Sequence, residues 1–182
     1  MHVLVILKYI PDPTTERKSD SLWSVMDGLA AAGIKITLAT KGRSAPHTFA
    51  QVDHSDLVRY LENPGVEKNP FPAGLPSISL AICTSEYPAL LAQKIKRSLS
   101  IPYVVREHRN CFERDYLTAS AVPEKLRSAF REASAVYAVS SPLARTMEQR
   151  GVREVVGVLP NSLPDGFFHL PKATKSMPGF YL

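Results

Sequence analysis

The densest group of chemistry-bearing side chains in this 182-residue sequence is Arg106-Glu107-His108-Arg109. It follows directly on the apolar run Pro102–Arg106. Histidine titrates near neutral pH, so His108 can donate to or accept from a polar ligand. Glu107 and Arg109 flank it and are expected to point to other sides. The plainer alternative is a solvated loop holding an internal Glu–Arg pair, and position alone leaves both open. A second group, His47, Asp53, His54 and Asp56, places four potential metal ligands within ten residues. Its spacing matches neither a helical i, i+4 pair nor a zinc pattern, which favours an ordinary surface loop. Cys83 and Cys111 make neither a disulfide framework nor a paired metal motif, and Cys111 has no adjacent base to activate it. The basic residues Lys41, Lys94, Lys96, Arg97, Arg127 and Arg131 lack the interleaved aromatics of a nucleic-acid platform. Solvated helix faces explain them, with contact to an anionic membrane surface as a second use.

Several motifs are missing. The first loop, Lys8–Ser19, contains no glycine, whereas a dinucleotide site needs glycines for backbone approach to the pyrophosphate. No G-x-x-x-x-G-K-[ST] and no G-x-S-x-G occurs, which removes P-loop nucleotidases and the nucleophile elbow of α/β-hydrolases.

The elements that must position these groups alternate. Val3–Leu7 is a continuous apolar run of the kind buried on both faces of a parallel sheet. Leu22, Met26, Leu29 and Gly33 follow at helical spacing, with Ser19 or Asp20 as N-cap and Gly33 as the stop. Ile34–Ala39 is a second strand. Residues 41–76 are less regular: Leu57–Leu61 is expected as a short strand, and Asn63–Pro76, with four prolines, as a long surface loop. The alternation then resumes with strand Ile78–Cys83, helix Tyr87–Leu99 and strand Pro102–Arg106. It continues with a helix around Leu126–Ala133, Pro123 suiting its first turn. Strand Ala135–Val139, helix Ser141–Arg150 ended by Gly151, and strand Val155–Leu159 complete it.

Five or six strands alternating with helices imply a Rossmann-like, doubly wound α/β domain, its sheet mainly parallel, with helices on both faces. Ligands in such sheets bind at the carboxyl ends of the strands. That rule nominates the loops after Leu7, Thr40, Arg106 and Leu159.

Length allows one domain and at most a fragment of another. Hydrophobic residues are 45% and charged residues 21%, a globular balance without an apolar stretch of membrane-spanning length. The start, Met1-His2-Val3-Leu4, reads as a first strand and not as a signal peptide. With two cysteines, a reducing cytoplasm is the expected compartment, with membrane association through the basic faces. The net charge of +5 permits attraction to phosphates without fixing a partner.

The segment Ala135–Ala144, then Met147, Gly151-Val152, Val158-Leu159-Pro160-Asn161 and Phe168, resembles family-4 (group 1) glycosyltransferases. There, a strand ending in A-V-S leads into a helix, a Gly-Val turn, another strand and a P-N-G-V-D…F loop. The match is good over residues 135–168 and extends more loosely back to the first strands. It departs at Lys8–Ser19, where a Gly-rich turn is common, and at Ser162, where Gly is usual. The resemblance implies half of a GT-B architecture, in which two Rossmann-like domains face each other across a cleft. Residues 1–170 would be the amino-terminal, acceptor-side domain. Residues 171–182 would be linker or the start of a carboxyl-terminal domain, of the same or another chain, that binds the nucleotide sugar.

The implied activity is retaining transfer of a sugar from a nucleotide-sugar donor to a glycan, lipid or small-molecule acceptor, with no further cofactor and no metal. His108 matches the histidine that reaches the donor sugar. Pro11, Asp12, Ser19, Lys41, Glu107, Arg109 and Asn161 would line the substrate cleft. Two other readings stay open. One is a non-catalytic binding module that needs a second chain. The other, a sugar-nucleotide epimerase, fits the Pro160-Asn161 loop less well.

Overall fold

The computed structural model describes residues 1–7, 20–41, 49–63, 67–70, 78–108 and 122–161. Among them, seven strands form one sheet: β1 (His2–Ile6), β2 (Lys35–Thr40), β3 (Ala50–Asp53), β4 (Leu80–Cys83), β5 (Tyr103–Glu107), β6 (Ala135–Ala138) and β7 (Gly157–Val158). Their order is β3-β2-β1-β4-β5-β6-β7, and every neighbouring pair is parallel. The helices are α1 (Asp20–Ala31), α2 (His54–Glu62), α3 (Glu86–Leu99), α4 (Glu124–Glu132) and α5 (Ser141–Gln149).

The central strand β1 is apolar on both faces because helices cover both. β1 is buried at every residue. Val5 and Leu7 pack with Ile36, Leu38 and Met26 of α1 on one face. Leu4 and Ile6 belong to the larger core on the other, with Leu57 and Leu61 of α2, Ala89, Ala92 and Ile95 of α3, and Phe130 of α4. This split follows from right-handed crossovers. The chain moves one way across the sheet from β1 to β2 and the opposite way from β4 to β7, so the connecting helices fall on opposite sides. The expected doubly wound parallel fold is what the chain adopts.

Three local expectations need correction. Leu57–Leu61 is helical: its i, i+4 leucines are the buried pair of the amphipathic α2, and Asp53 caps that helix by accepting from the Ser55 N–H at 2.7 Å. The short edge strand β3 went unforeseen, since only Val52 of its four residues is buried. The last strand shrinks from Val155–Leu159 to Gly157–Val158, and Val155 is 70% exposed. Elsewhere the stops hold. Gly33 (φ 73°) and Gly151 (φ 64°) both take the left-handed conformation that ends a helix and that side chains disfavour.

Candidate functional site

Strand order reverses between β1 and β4, since the chain leaves β1 toward β2 but resumes on its other side at β4. In an open parallel sheet the strand ends diverge at such a point and leave a crevice at their carboxyl side. The edges of this crevice are the ends of β1 and β4, with β5 next in line. The loop after β4, Thr84-Ser85, therefore belongs to the site. Sequence reasoning passed over it because strand order is a non-local property.

At the end of β5 the cluster Arg106-Glu107-His108 divides by burial. Glu107 is fully buried, and its Oε1 accepts from the His108 backbone N–H at 3.0 Å. Arg106 is 7% exposed. Only His108, the first residue past the strand, is exposed. The solvated-loop alternative thus fails for Arg106 and Glu107. Both are the last residues of a strand that runs one position further than expected.

Arg106 finds its partners 54 and 55 residues away: Nη2 donates to the Pro160 carbonyl at 3.2 Å and to Asn161 Oδ1 at 2.8 Å. Burial holds this guanidinium below its ordinary pKa, because the charged form loses water. The Asn161 side-chain oxygen, expected at a substrate, is engaged by Arg106 from inside the protein. Arg106 thus pins the chain as it leaves β7, where the Leu159 N–H also bonds the Ala138 carbonyl at 2.9 Å.

At the other side of the crevice, Lys41 follows β2 and is exposed. Nearby, His54 Nε2 donates to the Ala39 carbonyl at 3.0 Å, and burial lowers the pKa of the imidazole. The same carbonyl accepts from Leu7 N–H at 2.9 Å, so His54 braces the carboxyl ends of β1 and β2. Asp53 is engaged as a helix cap. Among the described residues no group of three His, Cys, Asp or Glu side chains is placed to hold a metal ion. Cys83 is fully buried and its thiol is pushed up by burial, which leaves it chemically quiet. Pro11, Asp12, Ser19 and Arg109, together with His47 and Cys111, lie outside the described residues.

The arrangement is a row of strand ends carrying one exposed imidazole, one buried carboxylate and a buried guanidinium. No known family model matches the sequence, and no curated protein does. Solved structures do match. Anabaena HepE in complex with UDP and glucose superposes with a TM-score of 0.60 at 12% identity, over 88% of this chain and 44% of that one. The fold is that of one GT-B half. The lipopolysaccharide outer core galactosyltransferase WaaB gives 0.56 at 10% identity, over 90% of this chain and 46% of that one. Arabidopsis thaliana UGT89C1 complexed with UDP gives 0.53 at 12%, over 90% and 49%. The chain thus spans less than half the length of each of these three structures.

Three of the basic residues on the helix faces are paired with carboxylates. Lys94 pairs with Glu62 at 3.1 Å, Arg97 with Glu132, and Arg131 with Glu124. Glu132 also accepts from Gln93 Nε2 at 2.7 Å, and these donors hold its carboxyl below the usual range, Arg97 foremost. No helix among the described residues is long and apolar enough to cross a membrane.

Proposed function

We propose that this chain is the acceptor-side domain of a retaining glycosyltransferase that moves a sugar from a nucleotide-sugar donor to an acceptor. The observation that carries the proposal is His108. It is exposed, directly follows the rigid end of β5, and stands one strand from the point where strand order reverses. The likeness to a structure holding UDP and glucose supports the donor class. A carboxyl-terminal domain, of the same or another chain, would bind the nucleotide.

The difficult event in such a transfer is departure of a diphosphate while positive charge develops on the sugar. A fixed dipole and a hydrogen bond at the sugar favour that charge distribution, and alignment of donor and acceptor lowers the entropic barrier. His108 would supply the hydrogen bond, its backbone held by Glu107. Asp12, Pro11 and Ser19 of the first loop, with Lys41 and Arg109, would border the acceptor, and Asn161 would set the floor where it is tied to Arg106. Peripheral membrane contact draws less support from Lys94, Arg97 and Arg131, which already face carboxylates.

The test is His108→Ala in the full-length protein, assayed for sugar transfer from UDP-glucose and for UDP affinity. Turnover should fall about 10²–10³-fold, the range for removal of one transition-state donor, with UDP affinity changed less than about threefold. Unchanged turnover removes His108 from the mechanism. Absence of transfer with any nucleotide sugar favours the non-catalytic module.

A further inference from the structure

His108 stands where the hydrogen-bond ladder of β5 runs out of partners. Along β5 the peptide groups of odd-numbered residues face β6, where the Val139 N–H donates to the Glu107 carbonyl at 3.0 Å. Those of even-numbered residues face β4, where the Ala81 N–H donates to the Pro102 carbonyl at 2.9 Å. By that alternation the His108 N–H is turned toward β4. But β4 ends at Cys83. The next carbonyl that its register would offer is that of Ser85. That oxygen accepts from the Ala89 N–H at 3.2 Å, in the first turn of α3. The turn from strand to helix thus commits the acceptor that the His108 amide would have in a longer sheet. A part-buried N–H at a strand end then needs another.

Glu107 provides it. Its Oε1 accepts from the His108 N–H at 3.0 Å, and the residue is fully buried. A carboxylate is costly to bury, and a neutral side chain could have ended the strand. What the carboxylate adds is strength: a charged acceptor makes a bond roughly twice as strong as a neutral one. The bond joins neighbours in the chain, so it closes a ring across ψ of Glu107 and φ of His108. Those two torsions set the direction in which His108 leaves the strand.

We propose that Glu107 is a positioning residue of the transferase site. Buried behind His108, its carboxylate fixes the backbone from which the imidazole reaches the donor sugar. This deepens the glycosyltransferase reading and rests on it.

The experiment uses the full-length protein. Glu107→Met fills much of the same volume without an acceptor, Glu107→Gln keeps one, and each is made alone and with His108→Ala. Turnover of UDP-glucose should fall about 10–100-fold in Glu107→Met, as for a displacement of about 1 Å at a reacting group, with KM and UDP affinity within about threefold. Glu107→Gln should restore the rate to within about threefold of the wild type. In the His108→Ala background, Glu107→Met should cost less than about a further twofold, because the carboxylate acts through that residue. Full turnover in Glu107→Met, an equal loss in Glu107→Gln, or losses that add to His108→Ala overturn the proposal. A variant that does not fold assigns the carboxylate to stability and overturns it too. Hydrogen exchange on the wild type tests the anchor without any variant. The His108 amide should exchange at least about 100-fold slower than in an unstructured chain, and an unprotected amide overturns the proposal. Absence of UDP-glucose turnover by the wild type removes the transferase reading, and with it the catalytic half of the proposal. A protected amide then still leaves Glu107 as the anchor of His108.

Discussion

Arg106 offers a test in which the expected order of two substitutions runs against chemical conservatism. The guanidinium is 7% exposed, its Nε has no partner, and it makes two hydrogen bonds, at 2.8 and 3.2 Å, both to uncharged oxygens. Bonds involving a charged donor contribute about 1.5–3 kcal/mol each, so the pair offers about 3–6 kcal/mol. Against this stands the desolvation of a cation without a paired carboxylate, still several kcal/mol after relaxation. The two nearly cancel. Arg106→Met removes both at once and fills much of the same volume, so global stability should change by no more than about 1 kcal/mol. Arg106→Lys keeps the charge, loses the planar fork and reaches one acceptor at best, which should cost about 2 kcal/mol. Urea denaturation of both variants measures the order. Hydrogen exchange supplies the local part: the Leu159 amide, bonded to Ala138, should exchange about 10-fold faster in the methionine variant, where nothing ties residues 160 and 161 to β5. A methionine variant that loses 3 kcal/mol or more while the lysine variant stays neutral refutes the cancellation and makes the guanidinium a net-stabilising strut.

Two further outcomes follow from neighbouring contacts. A Cβ built on Gly157 lies 2.7 Å from Tyr137 Cδ1 and 2.9 Å from Cε1, so Gly157→Ala should destabilise by about 1–3 kcal/mol. Truncating the ring with Tyr137→Ala should abolish that penalty in a double-mutant cycle; strictly additive effects dismiss the clash. His54 is neutral in the fold because burial lowers its pKa, so the unfolded chain takes up its proton first as pH falls. Stability from this residue is full above the unfolded value of about 6.5 and declines as pH drops through the folded pKa. His54→Gln retains a donor for Ala39 and should flatten the melting profile as pH falls below about 6.5; an identical slope in both proteins excludes His54 as the source.

What could be read in advance depended on range. β1 was legible because the five-residue apolar run Val3–Leu7 has few uses other than a strand covered on both sides. The end of α5 was legible through Gly151, which marks its stop chemically. β3 was not, being four residues at a sheet edge with one buried side chain, and the short run Leu57–Leu61 offered too few turns to separate a period of 3.6 from one of 2. In the site, the exposure of His108 past a strand end was readable as loop position. The burial of Arg106 and Glu107 beside it was not, because a charged pair normally marks solvent.

The sequence by itself determined the alternation of strands and helices and the parallel sheet that alternation demands. Both are consequences of side-chain periodicity, which acts within a few residues. Tertiary structure alone decided that β4 lies against β1, which makes the turn after Cys83 part of the crevice, and that Arg106 reaches Asn161. These depend on which distant segments share an edge, and hydrophobic patterning specifies that an element is buried without specifying its neighbour.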